Sequence, residues 1–239
     1  MKKNVILSYV LGTLCVWGLT GCNDVNGIED GWHPGLVKVV PVDGSGQNNG
    51  HAYVDLGLSV KWATMNIGAS APEDFGSYYA WGEIAAKEEY NWTTYKYSDA
   101  AGQTFTRYCV DAAYGRVDGK AILDLADDVA SLTWGSRWRM PTADEMAELR
   151  EKCTWAWTTL NGVSDYRVTG TNGNFIFLPP AGSVQDKTSM YVGTYGYYWS
   201  CSLDEAESDR AYGLYFDPRG VAENAGTRNS GQCVRPVCP

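Results

Sequence analysis

The spacing of apolar residues changes along the chain, and that change limits the folds open to it. Val54, Leu56, Leu58, Val60 and Trp62 alternate with Asp55, Gly57, Ser59 and Lys61, the period of two of a half-buried strand or a tight strand pair. From Asp118-Gly119 onward Ile122, Leu125, Ala126, Val129 and Leu132 fall at helical spacing. They predict an amphipathic helix with Asp124, Asp127 and Asp128 off its apolar stripe, on a solvated face. A second helix has the stronger start signal: Thr142 stands as N-cap, Glu145 completes a capping box, and Met146, Leu149 and Cys153 share one face. Beyond it Tyr166-Arg167-Val168-Thr169 and Phe175-Ile176-Phe177-Leu178 flank Asn172-Gly173, a strong hairpin signal. Tyr197-Tyr198-Trp199-Ser200, then alternating Tyr212, Leu214 and Phe216, then Val234-Arg235-Pro236-Val237 read as further strands. Two helices followed by antiparallel, loop-rich strands make an α+β pattern, with the core starting at about residue 51.

The amino end reads as an address. Lys2 and Lys3 precede an apolar run from Val5 to Leu19, which closes on Leu19-Thr20-Gly21-Cys22. That tetrapeptide resembles a bacterial lipobox, and the run is shorter than the ~20 residues a membrane-spanning helix needs. The expectation is a lipoprotein signal peptide over residues 1–21, lipidation of Cys22, and a flexible tether over residues 22–50 rich in Asn, Asp and Gly, with Leu36–Pro41 as a lone strand. The folded domain then spans residues 51–239. Acidic residues soon after Cys22 loosely resemble surface-export signals, so the expected place is the outer membrane or cell surface, held by the lipid anchor.

Charge and residue counts exclude several functions. The formal charge is −9, which argues against nucleic acid as a partner. His33 and His51 are the two histidines, so a Ser-His-Asp triad, a Cys-His pair or a His-rich metal site has little to draw on. Neither common phosphate-binding glycine loop occurs. Asp124, Asp127 and Asp128 match no calcium-binding loop, so no metal or other cofactor is expected. Glu73, Asp74, Glu83, Glu88 and Glu89 offer carboxylates for glycoside hydrolysis, yet any acidic protein offers such pairs, and the chain is read as a non-enzyme. The chain has 10 Trp and 16 Tyr against 5 Phe; such amphipathic rings suit either a wet interface or a core laced with hydrogen bonds.

Cys109, Cys153, Cys201, Cys233 and Cys238 remain once the leader is removed and Cys22 is lipidated, in a compartment that permits disulfides. The pairing expected is Cys109 with Cys153 and Cys201 with Cys233, leaving Cys238 free.

Six segments together carry a family resemblance: Asp55-Leu56-Gly57-Leu58-Ser59-Val60-Lys61-Trp62-Ala63-Thr64, Tyr79-Ala80-Trp81-Gly82-Glu83, Trp138-Arg139-Met140-Pro141-Thr142, Ile176-Phe177-Leu178-Pro179, Gly196-Tyr197-Tyr198-Trp199-Ser200, and Arg228 with Gly231, Val234, Arg235 and Pro236. In this order, over residues 51 to 238, they are similar to the Fibrobacter major paralogous domain family of Bacteroidetes lipoproteins. That family resembles the C-type lectin fold in the broad sense, shared with formylglycine-generating enzymes and with the variable proteins of diversity-generating retroelements. The resemblance implies two helices against small antiparallel sheets and a loop-rich C-terminal half that displays a binding surface.

On that basis Asp204, Glu207, Asp209, Arg210, Tyr215, Asp217, Arg219, Glu223, Asn224, Thr227 and Asn229, between the Tyr-Trp-Ser strand and the terminal Val-Arg-Pro strand, are the expected ligand contacts. Tyr191, Tyr195 and Tyr197 add aromatic anchors. The tripeptides of calcium-dependent lectins are absent, and Cys201 has no neighbouring cysteine before Cys233, so neither calcium-dependent sugar binding nor formylglycine formation is carried over. The function expected is adhesion or recognition of a protein or glycan. The alternatives are a structural envelope lipoprotein without a specific ligand and a glycan-active enzyme.

Overall fold

The computed structural model describes residues 45–239; the expected leader, the lipidated Cys22 and most of the tether lie outside the described residues. Twelve strands and two α-helices follow one another: β1 (Ser45–Asn48), β2 (His51–Val54), β3 (Lys61–Ala63), α1 (Val129–Trp134), α2 (Ala143–Lys152), β4 (Thr154–Leu160), β5 (Val163–Thr169), β6 (Phe175–Leu178), β7 (Ser183–Gln185), β8 (Thr188–Met190), β9 (Gly196–Leu203), β10 (Arg210–Asp217), β11 (Gly220–Thr227) and β12 (Val237–Cys238). They make four antiparallel sheets, ordered β1-β2-β3-β12, β11-β10-β9, β4-β5-β6 and β7-β8. The α+β expectation holds at this level.

The alternating segment from Val54 to Trp62 is a strand pair, with Val54 opposite Trp62. On the far side Trp62 pairs with Val237, so the two ends of the folded region share one sheet. The sheet also reaches into the expected tether: Ser45–Asn48 pairs with His51–Val54. The β1–β2 hairpin is fastened to the 134–138 segment, where Asn49 Nδ2 donates to the Trp134 carbonyl at 2.6 Å, Trp138 Nε1 donates to the Asn48 carbonyl at 2.8 Å, and His51 stacks on Trp134 with centroids 3.9 Å apart.

The second predicted helix forms as read. Thr142 and Glu145 make the capping box of α2, and Met146 and Leu149 are its buried face. The first does not. Its expected stripe becomes a 3₁₀ turn at Leu125–Asp127 followed by the six-residue α1, and Ile122, Leu125 and Leu132 are exposed. The aspartates explain why. Asp127 is buried and accepts from the Tyr97 hydroxyl at 2.5 Å, the Tyr108 hydroxyl at 2.6 Å and Arg107 Nη1 at 2.8 Å. Burial alone would raise its carboxyl; the tyrosine hydrogen bonds and the Arg107 and Lys96 charges bring it below the usual range. Asp128, also buried, has extended backbone and caps α1 through the Ala130 and Ser131 amides, while its other oxygen accepts from Met140 N at 2.8 Å. The helix therefore cannot start before residue 129, and Asp127 and Asp128 leave the expected solvated face, whereas Asp124 stays partly exposed and pairs with Arg107 and Lys120.

Two apolar clusters make the core. One gathers Trp81, Phe105, Tyr108, Trp138 and Trp199; the other gathers Leu56, Trp62, Leu149, Val168 and Phe216. Several core rings use their polar edges: Trp81 Nε1 donates to the Ser200 carbonyl and Trp199 Nε1 to the Tyr79 carbonyl, both at 2.8 Å, and Tyr198 Oη donates to the Pro179 carbonyl at 2.7 Å. Arg228 is fully buried, lies over Trp81 and Phe105 with its guanidinium carbon 4.9 and 4.6 Å from their centroids, and donates to the carbonyls of Arg107, Tyr108 and Ser208. So the abundant Trp and Tyr are mostly core.

The expected disulfides are absent: the five cysteines among the described residues are all free. Cys109 and Cys201 belong to the first cluster, whereas Cys233 belongs to the second and Cys153 packs against that second cluster. Each expected pair thus divides between the clusters. Cys109, Cys201, Cys233 and Cys238 are small buried hydrophobes instead, Cys153 is half-buried, and burial pushes Cys201 and Cys233 up to about 12.

Candidate functional site

Sheet β11-β10-β9 carries the candidate site. Residues directly opposite across antiparallel strands share a face. Leu214 lies opposite Tyr198, and Phe216 stacks on Tyr198; this face packs into the second cluster. Tyr215 lies opposite Tyr197, and Gly213 opposite Trp199, on the other face. Trp199 is buried there, but the Tyr197–Tyr215 end stays partly open.

The loop after β8 brings two more tyrosines to that end. Tyr191 and Tyr195 stack at 4.8 Å; Tyr195 meets Tyr215 at 5.7 Å and Tyr197 at 6.4 Å, and Tyr197 meets Tyr215 at 5.3 Å. The loop is held tightly. Thr194 and Tyr195 amides both donate to the Tyr191 carbonyl at 3.0 Å, Gly193 N to the Pro180 carbonyl at 2.8 Å, and Gly182 N to the Tyr195 carbonyl at 2.7 Å. Gly182 has φ +68, and a Cβ there would stand 2.2 Å from the Met190 carbonyl oxygen, so the loop base requires glycine.

At the sheet end the chain turns through Pro218 and Arg219. Asp217 Oδ1 accepts from Arg219 N at 2.8 Å, and Oδ2 accepts from Tyr215 Oη at 2.8 Å and Arg219 Nε at 2.9 Å, with Arg219 Nη2 on the same oxygen. The Arg219 hydrogen bond holds the Asp217 carboxyl well below the usual carboxylate range. Desolvation first, then the hydrogen bond to Asp217 and its charge, push Tyr215 up to about 12. The guanidinium is 84% exposed. Tyr191, 50% exposed, is the one exposed aromatic ring among the described residues, and Val192 beside it is also exposed. Ring separations of 4.8 to 6.4 Å put the tyrosines in direct contact, so a ligand would lie across them rather than between them.

The fourteen expected contact residues do not form one face. Tyr191, Tyr195, Tyr197, Tyr215, Asp217 and Arg219 gather as described. Asp204, Glu207, Asp209 and Arg210 sit at the opposite end of the β9–β10 hairpin, about 20 Å away at the usual strand rise. There Asp204 is buried and accepts from Ala206 N at 3.0 Å, and Arg210 is paired with Glu207 at 2.6 Å. Glu223, opposite Leu214 on β11, belongs to the face away from the tyrosines, whereas Asn224, opposite Gly213, shares theirs. Thr227 Oγ1 lies 2.9 Å from Ser230 Oγ. Asn229 is buried and presents no surface. Among the described residues no group of three or more His, Cys, Asp or Glu converges as a metal site, and no helix is long and apolar enough to cross a membrane.

One signal went unread in the sequence. Asn161-Gly162 is a hairpin dipeptide of the same kind as Asn172-Gly173, both its residues have positive φ, and it joins β4 to β5. Comparison with protein-family models, with curated proteins and with solved structures returns no match.

Proposed function

We propose that the chain is a non-enzymatic recognition lipoprotein whose protein or glycan ligand lies across Tyr191, Tyr195, Tyr197 and Tyr215 and is met at the edge by the Asp217–Arg219 pair. One observation carries this reading: in a chain whose other rings are largely core, the exposed Tyr191 heads an unbroken line of touching tyrosines that ends on an exposed guanidinium. Rigid aromatic rings give contact area at low entropic cost. The ion pair balances its own charge, which suits ligands that offer hydroxyls or amides. Anchoring through Cys22 on the outer membrane or cell surface, the C-type-lectin-like description of the fold, and membership of the major paralogous domain family belong to the same proposal. The two helices on small antiparallel sheets support the fold description.

The test is a glycan and host-protein array probed with the wild-type chain, with Tyr191→Ala/Tyr195→Ala, and with Glu207→Ala/Arg210→Ala as a control at the other end of the hairpin. Binding lost in the first variant and kept in the second, at unchanged melting temperature, is the expected result. Binding that survives the tyrosine changes overturns the site. A blank array with every form favours the alternative of a structural envelope lipoprotein, which the burial of most Trp and Tyr rings supports.

A further inference from the structure

Beyond the tyrosine face, we propose that the open edge of β4 is a dimerisation surface that pairs antiparallel with β4 of a second copy of this chain. β4 is the end strand of sheet β4-β5-β6. Its sequence, Thr-Trp-Ala-Trp-Thr-Thr-Leu, is seven residues long, rich in β-forming side chains, and free of charge and proline. Natural sheet edges are normally guarded by charge, proline, bulges or short length. The eight-residue edge strand β11 follows that rule with Glu223 in its middle, and β1 and β8 are short. β4 carries no guard.

The backbone geometry selects a second copy as the occupant. In a hairpin closed by two residues, the pair flanking the turn exchanges both N–H···O bonds, and bonded and non-bonded pairs alternate from there. From the Asn161-Gly162 turn, Leu160–Val163, Thr158–Asp165, Ala156–Arg167 and Thr154–Thr169 are then the bonded pairs. The N–H and C=O groups of Trp155, Trp157 and Thr159 consequently point away from β5, and among the described residues no backbone hydrogen bond from another segment reaches them. These three residues are symmetric about Trp157, the middle of the strand. A twofold axis there sets Trp157 against its own copy and Trp155 against Thr159 of the copy, so every outward donor meets an outward acceptor and no like charges oppose. An unrelated peptide could satisfy the backbone, but this strand is its own complement.

The experiment is sedimentation velocity of the purified full chain across a dilution series, with hydrogen exchange read at the Trp155, Trp157 and Thr159 amides. Thr159→Pro removes an outward N–H while leaving the β4–β5 ladder intact, and Ala156→Lys adds charge at an exposed position of the strand. A monomer–dimer equilibrium is expected, with the three amides protected in the dimer and exchanging freely on dilution. Each variant should raise the dimer dissociation constant about tenfold or more. A monomer at all concentrations, a dimer unaffected in both variants, an assembly larger than a dimer, or amide protection that ignores dilution would each overturn the proposal. Exchange in the wild-type chain decides the matter even if a variant folds poorly.

Discussion

Tyr215 donates its hydroxyl to Asp217 two residues along the same strand, at 2.8 Å, and the oxygen that accepts it also accepts Arg219 Nε at 2.9 Å. One carboxylate thus orients both the last ring of the tyrosine line and the exposed guanidinium beside it.

Asp217→Asn should lower the phenolate midpoint of Tyr215 from about 12, since the variant keeps the burial but loses the negative charge. Ultraviolet titration of wild type and variant, read as a difference, checks this; superimposable curves would show that burial alone sets the midpoint. The stability that the depressed Asp217 carboxyl contributes is present above the unfolded carboxylate range and is lost as pH falls through its folded pKa.

Asp165 gives the opposite pH dependence. It is fully buried, and desolvation raises its carboxyl to about 8 against the opposing Arg235 charge. The folded state therefore holds a proton that the unfolded state releases near pH 4, so this residue's contribution falls as pH rises from about 4 to about 8, by on the order of 1 kcal/mol per unit. Denaturant unfolding of wild type and Asp165→Asn across that window should show the variant gaining relative stability toward the alkaline side. Parallel curves would refute the assignment.

Arg228→Met should cost about 3 kcal/mol or more, because buried carbonyls of Arg107, Tyr108 and Ser208 lose their donor. Arg228→Lys should recover only part of the loss, since an ammonium cannot reproduce the planar fork. Denaturation midpoints at unchanged slope report both.

Thr142→Ala should cost about 1 kcal/mol by breaking the capping box. Because Glu145 is also held by Arg139, with Nη1 at 2.7 Å and Nη2 at 2.5 Å, Arg139→Ala combined with Thr142→Ala should cost more than the sum of the single changes. A double-mutant cycle on thermal unfolding tests that coupling.

How much was legible follows from where the responsible interactions lie. Thr142 and Glu145 are three residues apart, Asn172-Gly173 is a dipeptide with its own backbone preference, and Val54 to Trp62 alternate within nine residues; each could be read because the interaction that decides it is local. Asn161-Gly162 is an equally local signal, a hairpin dipeptide with positive φ at both residues.

The first helix and the cysteine pairs depart from expectation because of distant partners. Ile122, Leu125 and Leu132 have helical spacing, yet Asp127 is claimed by Tyr97 and Tyr108, 30 and 19 residues earlier, and Asp128 by Met140. A buried carboxylate with several donors outweighs a short apolar stripe, so the helix gives way. The expected cysteine pairs failed because spacing says nothing of which core a thiol enters.

The candidate site divides along the same line. The amino acids by themselves determined that the chain is rich in amphipathic rings, carries net negative charge and places two helix signals ahead of a run of strand signals, an α+β order. Only the tertiary structure decided which rings remain at the surface. Strand register set Tyr197 against Tyr215, a glycine-based loop folded Tyr191 and Tyr195 onto them, and packing into the two apolar clusters drew most of the other described tyrosines and tryptophans inward. Exposure is a property of packing, and packing is settled between residues far apart in the chain.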